Sequence, residues 1–229
     1  MTTDSKASFL IVSTAADFPN PGFSTADIHA SVHSRAKRCL DILGALVGLT
    51  LTALIFIPLA VAIYLDNPGP LLYSQIRCGW RGQHFRIWKF RSMVVNADQL
   101  KHTVQNQASG HIFKNDHDPR ITRVGQFLRR TSLDELPQFW NVLMGDMSLV
   151  GTRPPTVDEV AQYNNRHWRR LEVKPGMTGE WHANGRSSVT NFEDIVSLDL
   201  RYMQRWSIAY DVKLILQTIQ SVLRRKGAC

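Results

Sequence analysis

Between Ile42 and Leu65 the chain carries 24 consecutive residues without a formal charge, ILGALVGLTLTALIFIPLAVAIYL. Coiled as a helix at ~1.5 Å per residue, this run exceeds the ~30 Å hydrocarbon core of a bilayer, so the fold must either place it in lipid or bury it. Buried helices of globular proteins are seldom apolar on every side, which favours lipid. The flanking charges are unusual for a span. Arg35, Lys37 and Arg38 precede the run, and Arg77, Arg81, Arg86, Lys89 and Arg91 follow it. Cationic flanks mark the cytoplasmic side, so both ends ask for the same face. Pro58 removes a helical hydrogen bond and collides with the preceding turn, so a bend is expected there. The sequence therefore predicts a helix over 35–66 that enters one leaflet and returns, re-entrant about Pro58, in preference to a single full span.

Residues 1–34 mix Ser, Thr, Ala, Asp and Pro without a sustained period and read as a flexible arm. They lack the basic start and early apolar core of a secretory signal. His29 and His33 share a helical spacing, but no third metal ligand accompanies them. After the break Asp66-Asn67-Pro68-Gly69-Pro70, residues 67–229 form a third segment, expected to be a cytosolic domain at the interface. Leu71–Cys78 and Phe85–Phe90 read as strands of a hairpin whose tip, Trp80-Arg81, suits a headgroup region. Met93, Ala97, Leu100 and Val104 suggest a helix, as do Val157, Val160, Ala161, Asn164, Trp168 and Leu171. Residues 114–120 and 179–186 read as loops, with turn chemistry accounting for Asp116 and Asp118. Ile208, Val212, Ile215, Ile219 and Val222 mark an amphipathic helix, suited to closing a core or lying on a bilayer. The fold class is mixed α/β and helix-rich, with a re-entrant membrane helix, interfacial amphipathic helices and a small sheet or hairpin.

Lys and Arg number 27 against 19 acids, a net charge of +8. That surplus calls for an anionic partner: nucleic acid, lipid headgroups or a phosphorylated substrate. The apolar run and the lack of a nucleic-acid motif argue against the first. Cys39, Cys78 and Cys229 are widely separated, which speaks against a disulfide framework or a zinc site.

Arg129-Arg130-Thr131-Ser132-Leu133-Asp134-Glu135-Leu136-Pro137 combines two arginines with adjacent carboxylates. Leu136, Phe139, Trp140 and Leu143 fall on one helical stripe, which places the acids at a helix start. Such a terminus attracts phosphate, and the arginines deepen that potential. Ser132 and Glu135 also match a capping box, which needs no catalytic role. Farther on, Pro154-Pro155 stiffens the backbone that presents Arg153.

These blocks, together with Lys37-Arg38, Pro68-Gly69-Pro70, Lys89-Phe90-Arg91-Ser92-Met93, Asp118-Pro119-Arg120, Arg153-Pro154, Lys174 through Gly179 and Asn184-Gly185-Arg186, resemble the bacterial sugar transferases, monotopic phosphoglycosyl transferases. The likeness covers nearly everything from Arg35 onward. It implies transfer of a sugar 1-phosphate from a UDP-sugar to a polyprenol phosphate such as undecaprenyl phosphate, with release of UMP, as the first membrane step of exopolysaccharide or glycoconjugate synthesis. By the same resemblance, Asp134 is the nucleophile that carries a covalent phosphosugar, and Glu135 a ligand of Mg²⁺. Arg129 and Arg153, with Lys89, Arg91 and Arg186, become candidates for phosphate or substrate contacts, and Asp199 an acidic position near the site. The implied setting is the cytoplasmic face of the bacterial inner membrane, against anionic lipids; homodimerisation is left open. Two positions depart from the family pattern: Ile57 stands where Ser is common before Pro58, and Thr152 where Pro is common before Arg153. The alternative from a different class is a non-catalytic, single-span, membrane-anchored scaffold.

Overall fold

The computed structural model describes residues 28–185 and 189–223. It is helix-rich, with two small sheets and one long apolar helix. After the short α1 (Ala30–His33), that long helix, α2, runs from Arg35 to Asp66 and remains helical through Pro58. Of the expected arm, residues 1–27 lie outside the described residues; the rest is docked, with His29 Nε2 3.0 Å from the Met203 carbonyl oxygen.

One stripe of α2 is buried: Lys37, Asp41, Ala45, Gly48, Thr52, Leu59 and Ile63. Their spacing of three, four or seven residues places them on one helical face. A Cβ on Gly48 would lie 2.3 Å from the Phe139 ring, so only glycine admits this close approach. Leu59 and Ile63 pack with Phe90 and Leu128, and Ala45 packs with Val142, Met147 and Leu149. One face of the apolar helix therefore contributes to the core.

Both ends of α2 are pinned to the same globular body. At the start, buried Lys37 Nζ lies 2.6 Å from Asp211 Oδ2 and donates to the Val150 carbonyl at 2.9 Å. Arg38 donates to the Val142 and Leu143 carbonyls, both at 2.7 Å. At the finish, Asp66 Oδ2 accepts from Val124 N at 2.9 Å, and Arg91 donates to the side chain and carbonyl of Asn67. The opposite face remains apolar and uncovered, with Leu43, Val47, Leu54, Ile57, Val61 and Leu65 all more than half exposed.

The hairpin forms as expected: β1 (Leu72–Cys78) pairs antiparallel with β2 (His84–Phe90), Leu72 facing Phe90 and Cys78 facing His84. Its tip docks on the 3₁₀ turn Arg169–Glu172. The Met93–Val104 stripe does not make an α-helix. A bridge from Met93 to Ile121 holds the chain, Val94 and Val95 are β-branched, and the segment proceeds by turns to one 3₁₀ turn, Lys101–Thr103.

α3 (Arg123–Thr131) leads to a 3₁₀ turn, Leu133–Glu135, and then α4 (Gln138–Met144). β3 (Ser148–Val150) pairs in parallel with β4 (Gly176–Thr178). Between these strands the predicted single helix is broken into α5 (Val157–Val160) and α6 (Asn165–Trp168) by Asn164, whose side chain caps the second piece. Residues 180–185, expected as loop, form α7 (Glu180–Gly185). α8 (Phe192–Arg205) and α9 (Ile208–Leu223) complete the body. On α9, Asp211 and Leu214 face the core, whereas Val212, Leu216, Ile219 and Leu223 form an exposed apolar stripe.

Lys37→Met would strand the Asp211 carboxylate in the core and cost about 3–5 kcal/mol, seen as a lower melting temperature in detergent. Adding Asp211→Leu should recover part of that loss; a double variant as unstable as Lys37→Met would refute the pairing as its source.

Candidate active site

The Ser132–Glu135 capping box does not form. Ser132, at φ 57°, is instead the left-handed end of α3, its N–H bonded to Arg129 O and Leu128 O. A non-glycine residue there costs ~1–2 kcal/mol. The chain then makes a single 3₁₀ turn, closed by Leu136 N to Leu133 O at 3.3 Å, because the next nitrogen, Pro137, has no hydrogen to continue an α-helix. Asp134 and Glu135 thus lie in the elbow between two helices, a third of a turn apart. Asp134 is 4% exposed; Glu135 is half-buried, its Oε1 3.0 Å from Lys89 Nζ on β2.

Of the four residues expected on one stripe after the dyad, Leu136, Phe139 and Leu143 pack inward, while Trp140 is exposed. Asn141 ties α4 to β2 by accepting from Trp88 N at 3.2 Å and donating to Arg86 O at 2.8 Å. This fixes the distance between the acids and Lys89.

A cavity of about 360 Å³ opens above the elbow. Its lining includes six cations, Arg77, Lys89, Lys114, Arg120, Arg129 and Arg153, against three carboxylates, Asp118, Asp134 and Glu135. The surplus suits a ligand with more than one negative charge. Arg129 projects from the last turn of α3, with Nε 3.0 Å from Ser92 Oγ. Burial lowers its pKa, while Asp134, Asp118 and Glu135 pull it back up. Arg77 is also depressed, to about 10, by burial and by the like charge of Arg153.

Arg153 follows β3 on the segment that Pro154 and Pro155 stiffen. Glu159 holds it from two sides, at 2.8 and 3.3 Å. Burial opposes its charge, but this carboxylate raises its pKa overall. Thr152 is buried and donates to Arg170 O at 3.0 Å, anchoring the backbone just before Arg153. A Cβ on Gly176 would lie 2.1 Å from Gly151 N, so β4 can press close and bring α7 to the same wall.

Arg129, Lys89, Arg153, Asp134 and Glu135 therefore converge. Asp199 does not line this cavity: it is 1% exposed and paired with Arg170 at 2.7 Å, behind Arg153, from whose backbone it accepts a hydrogen bond. Arg91 reaches an adjoining cleft, but its guanidinium is committed to Asn67. Arg186 lies outside the described residues, and Pro58 is exposed on α2, away from the cavity lining. Sequence reasoning missed Arg77, Trp181 and the role of Arg120, which grips Asp118 through Nε and Nη2 and donates to Ala97 O. The Asp-x-Arg spacing was a usable signal for the last pair.

No cluster of three or more His, Cys, Asp or Glu side chains suited to a metal occurs among the described residues. Magnesium, however, is commonly held by only one or two carboxylates together with substrate phosphates and water. The adjacent carboxylates of Asp134 and Glu135, in the lining of a cation-rich cavity, fit that mode.

The profile of the bacterial sugar transferase family matches residues 32–225. The chain belongs to that family. Among its relatives, the galactosyl transferase CpsE of Streptococcus agalactiae serotype III is 53% identical over 198 residues, covering 86% of this chain and 44% of that protein. The UDP-glucose:undecaprenyl-phosphate glucose-1-phosphate transferase of Escherichia coli K12 is 40% identical over 206 residues, 87% of this chain and 42% of its own length. The exopolysaccharide production protein ExoY of Rhizobium meliloti is 35% identical over 199 residues, covering 84% of this chain and 88% of its own length. The chain thus spans under half the length of the first two, and most of the third.

Glu159 is held below its ordinary value of 4.5: burial would raise it, but Arg153 outweighs burial. Its contribution to stability is therefore complete above that value and lost as pH falls through the lower folded-state pKa. Glu159→Gln should cost about 1.5–3 kcal/mol at neutral pH in urea unfolding and converge on the wild type in acid. A constant difference across that range would contradict the ion pair.

Proposed function

We propose that this sugar transferase moves a sugar 1-phosphate from a UDP-sugar to undecaprenyl phosphate, releasing UMP, at the cytoplasmic face of the bacterial inner membrane. The observation that carries the proposal is a buried carboxylate, Asp134, at the wall of a cavity whose lining cations outnumber its carboxylates two to one. Relatives whose names specify undecaprenyl-phosphate transfer support the acceptor. A scaffold has no use for such a convergence.

In the first half-reaction an Asp134 carboxylate oxygen attacks the phosphorus that bears the sugar. One P–O bond forms, the bridging P–O bond breaks, and UMP leaves with that bond's electron pair. In the second, an oxygen of undecaprenyl phosphate attacks the same phosphorus and displaces the Asp134 carboxylate, regenerating it. An acyl phosphate is reactive enough for this second displacement, so one difficult transfer becomes two easier ones. A carboxylate approaching a diphosphate meets repulsion; Arg129 and Arg153 offset it and stabilise charge on the transferring group. Mg²⁺, held by Glu135 and substrate oxygens, would supply further charge neutralisation. Lys89 orients Glu135 for that role.

The topology is part of the same proposal. That both ends of α2 are tied to one globular body supports entry and return on one face. We place the uncovered face of α2, together with exposed Phe127, Trp140 and Met144, in the cytoplasmic leaflet, with the basic surface against anionic headgroups. The catalytic cavity then sits at the depth of a lipid phosphate.

Asp134→Asn should abolish UMP release and the mass increment of a sugar phosphate on the protein, whereas Glu135→Gln should raise the Mg²⁺ concentration needed for half-maximal rate. Turnover by the Asn variant at the wild-type rate would eliminate Asp134 as nucleophile. For topology, Cys39 is exposed at the start of α2, whereas Cys78 is buried. In a background lacking Cys78 and Cys229, Cys39 and a cysteine at Leu72 should both react with an impermeant maleimide from the cytoplasmic side; reaction from opposite sides would require a full span.

A further inference from the structure

The wall that α7 contributes to the cavity carries an aromatic side chain for which the two half-reactions have no use. Trp181 lines the cavity, yet its indole Nε1 is buried without a hydrogen-bond partner among the described residues. Buried donors in native proteins are nearly always satisfied, and an exception on a cavity wall points to an acceptor brought by a ligand. The Arg153 guanidinium lies over the same ring, 5.7 Å from its centre, and the His182 ring meets it edge-on at 4.6 Å.

The backbone beneath the ring is held firmly. Glu180, 1% exposed, accepts from the Tyr210 hydroxyl on α9 and faces Arg201 of α8 at 3.4 Å. Ala183 N closes the turn onto Gly179 O at 2.9 Å. Phe113, which also lines the cavity, is already covered by Arg120 at 5.3 Å and Lys101 at 5.9 Å. Trp181 is thus a rigid apolar plate with a directed donor at one edge, beside the arginine that faces the phosphates.

We propose that Trp181 is a donor-substrate contact, its indole N–H donating to an oxygen of the ring system attached to the phosphate that Arg153 holds. This rests on the function proposed above. Both flanks of a nucleotide sugar's diphosphate, the nucleoside and the hexose, present hydroxyl or carbonyl oxygens of this kind.

Trp181→Phe retains an aromatic plate beside Arg153 and deletes the N–H. In the full-length protein in detergent, KM for the UDP-sugar should rise about threefold to tenfold, the usual effect of one lost hydrogen bond, with kcat and the KM for undecaprenyl phosphate unchanged. The N–H has no partner among the described residues, so only the packing that the smaller ring gives up against the core should lower the melting temperature slightly; a purely structural tryptophan would give that fall with an unchanged donor KM. Inhibition by UMP separates the two sources. Weakened UMP inhibition assigns the contact to the nucleoside, and unchanged inhibition with a shifted preference between UDP-glucose and UDP-galactose assigns it to the hexose. A donor KM equal to the wild type, or a rise confined to the acceptor KM, overturns the proposal. A wild-type protein that transfers no sugar phosphate would instead refute the underlying reaction, so the two failures are distinct.

Discussion

The seam between α2 and the rest of the protein is the constraint on which the structure depends. An apolar helix of 32 residues has no stable place in water. Here one narrow face is drawn against a body carrying the chain's charge surplus. Small residues, Ala45 and Gly48, let the helix come close, and Lys37 and Asp66 lock its two ends. The ion pair at the start is fully buried and joined by Tyr202 and Trp206, so its desolvation is offset by several hydrogen bonds at once. Because the same helix packs on β2, β3 and α4, the seam also sets the spacing of the elements that deliver Lys89, Arg153 and the acidic elbow.

The site shows a second economy. Arg153 is placed by a carboxylate outside the cavity lining, Glu159, and Asp199 pairs with Arg170 behind it. Asp118 grips Arg120 from within the lining itself. Rigid placement limits the entropy that each guanidinium loses on meeting a phosphate. Glu135 and Lys89 are arranged differently, as a partly exposed pair facing the ligand space. The pair that can exchange partners is thus the one beside the proposed nucleophile.

How much of this was legible in the sequence followed the range of the interactions involved. The hairpin announced itself through two apolar strands around Gly79–Gly82, and α9 through its spacing, both local patterns. The acidic dyad was located, but its geometry was not, since Ser and Glu at that spacing suit a capping box equally well and only the missing Pro137 hydrogen forces the 3₁₀ elbow. Lys37 and Arg38 looked like topological charges because nothing nearby announces Asp211 or the Val142 carbonyl as their partners. α8 escaped notice although Phe192, Ile195, Val196, Tyr202 and Met203 recur at helical spacing; the polar Asp199 on the same face disguised it. Trp181 and Arg77 acquire meaning only once β3 and β4 pair and fold distant segments onto one wall.

The docking of α2 bears on how the protein can be handled. Cutting the chain at the break near Pro68, as its hydropathy invites, would strip the cover from Phe139, Leu149, Phe90 and Leu128, which pack in the core clusters. The helix is thus also a lid on the interior. Solubility for this protein has to be sought by covering the outward face of the helix with amphiphile, and not by deleting it.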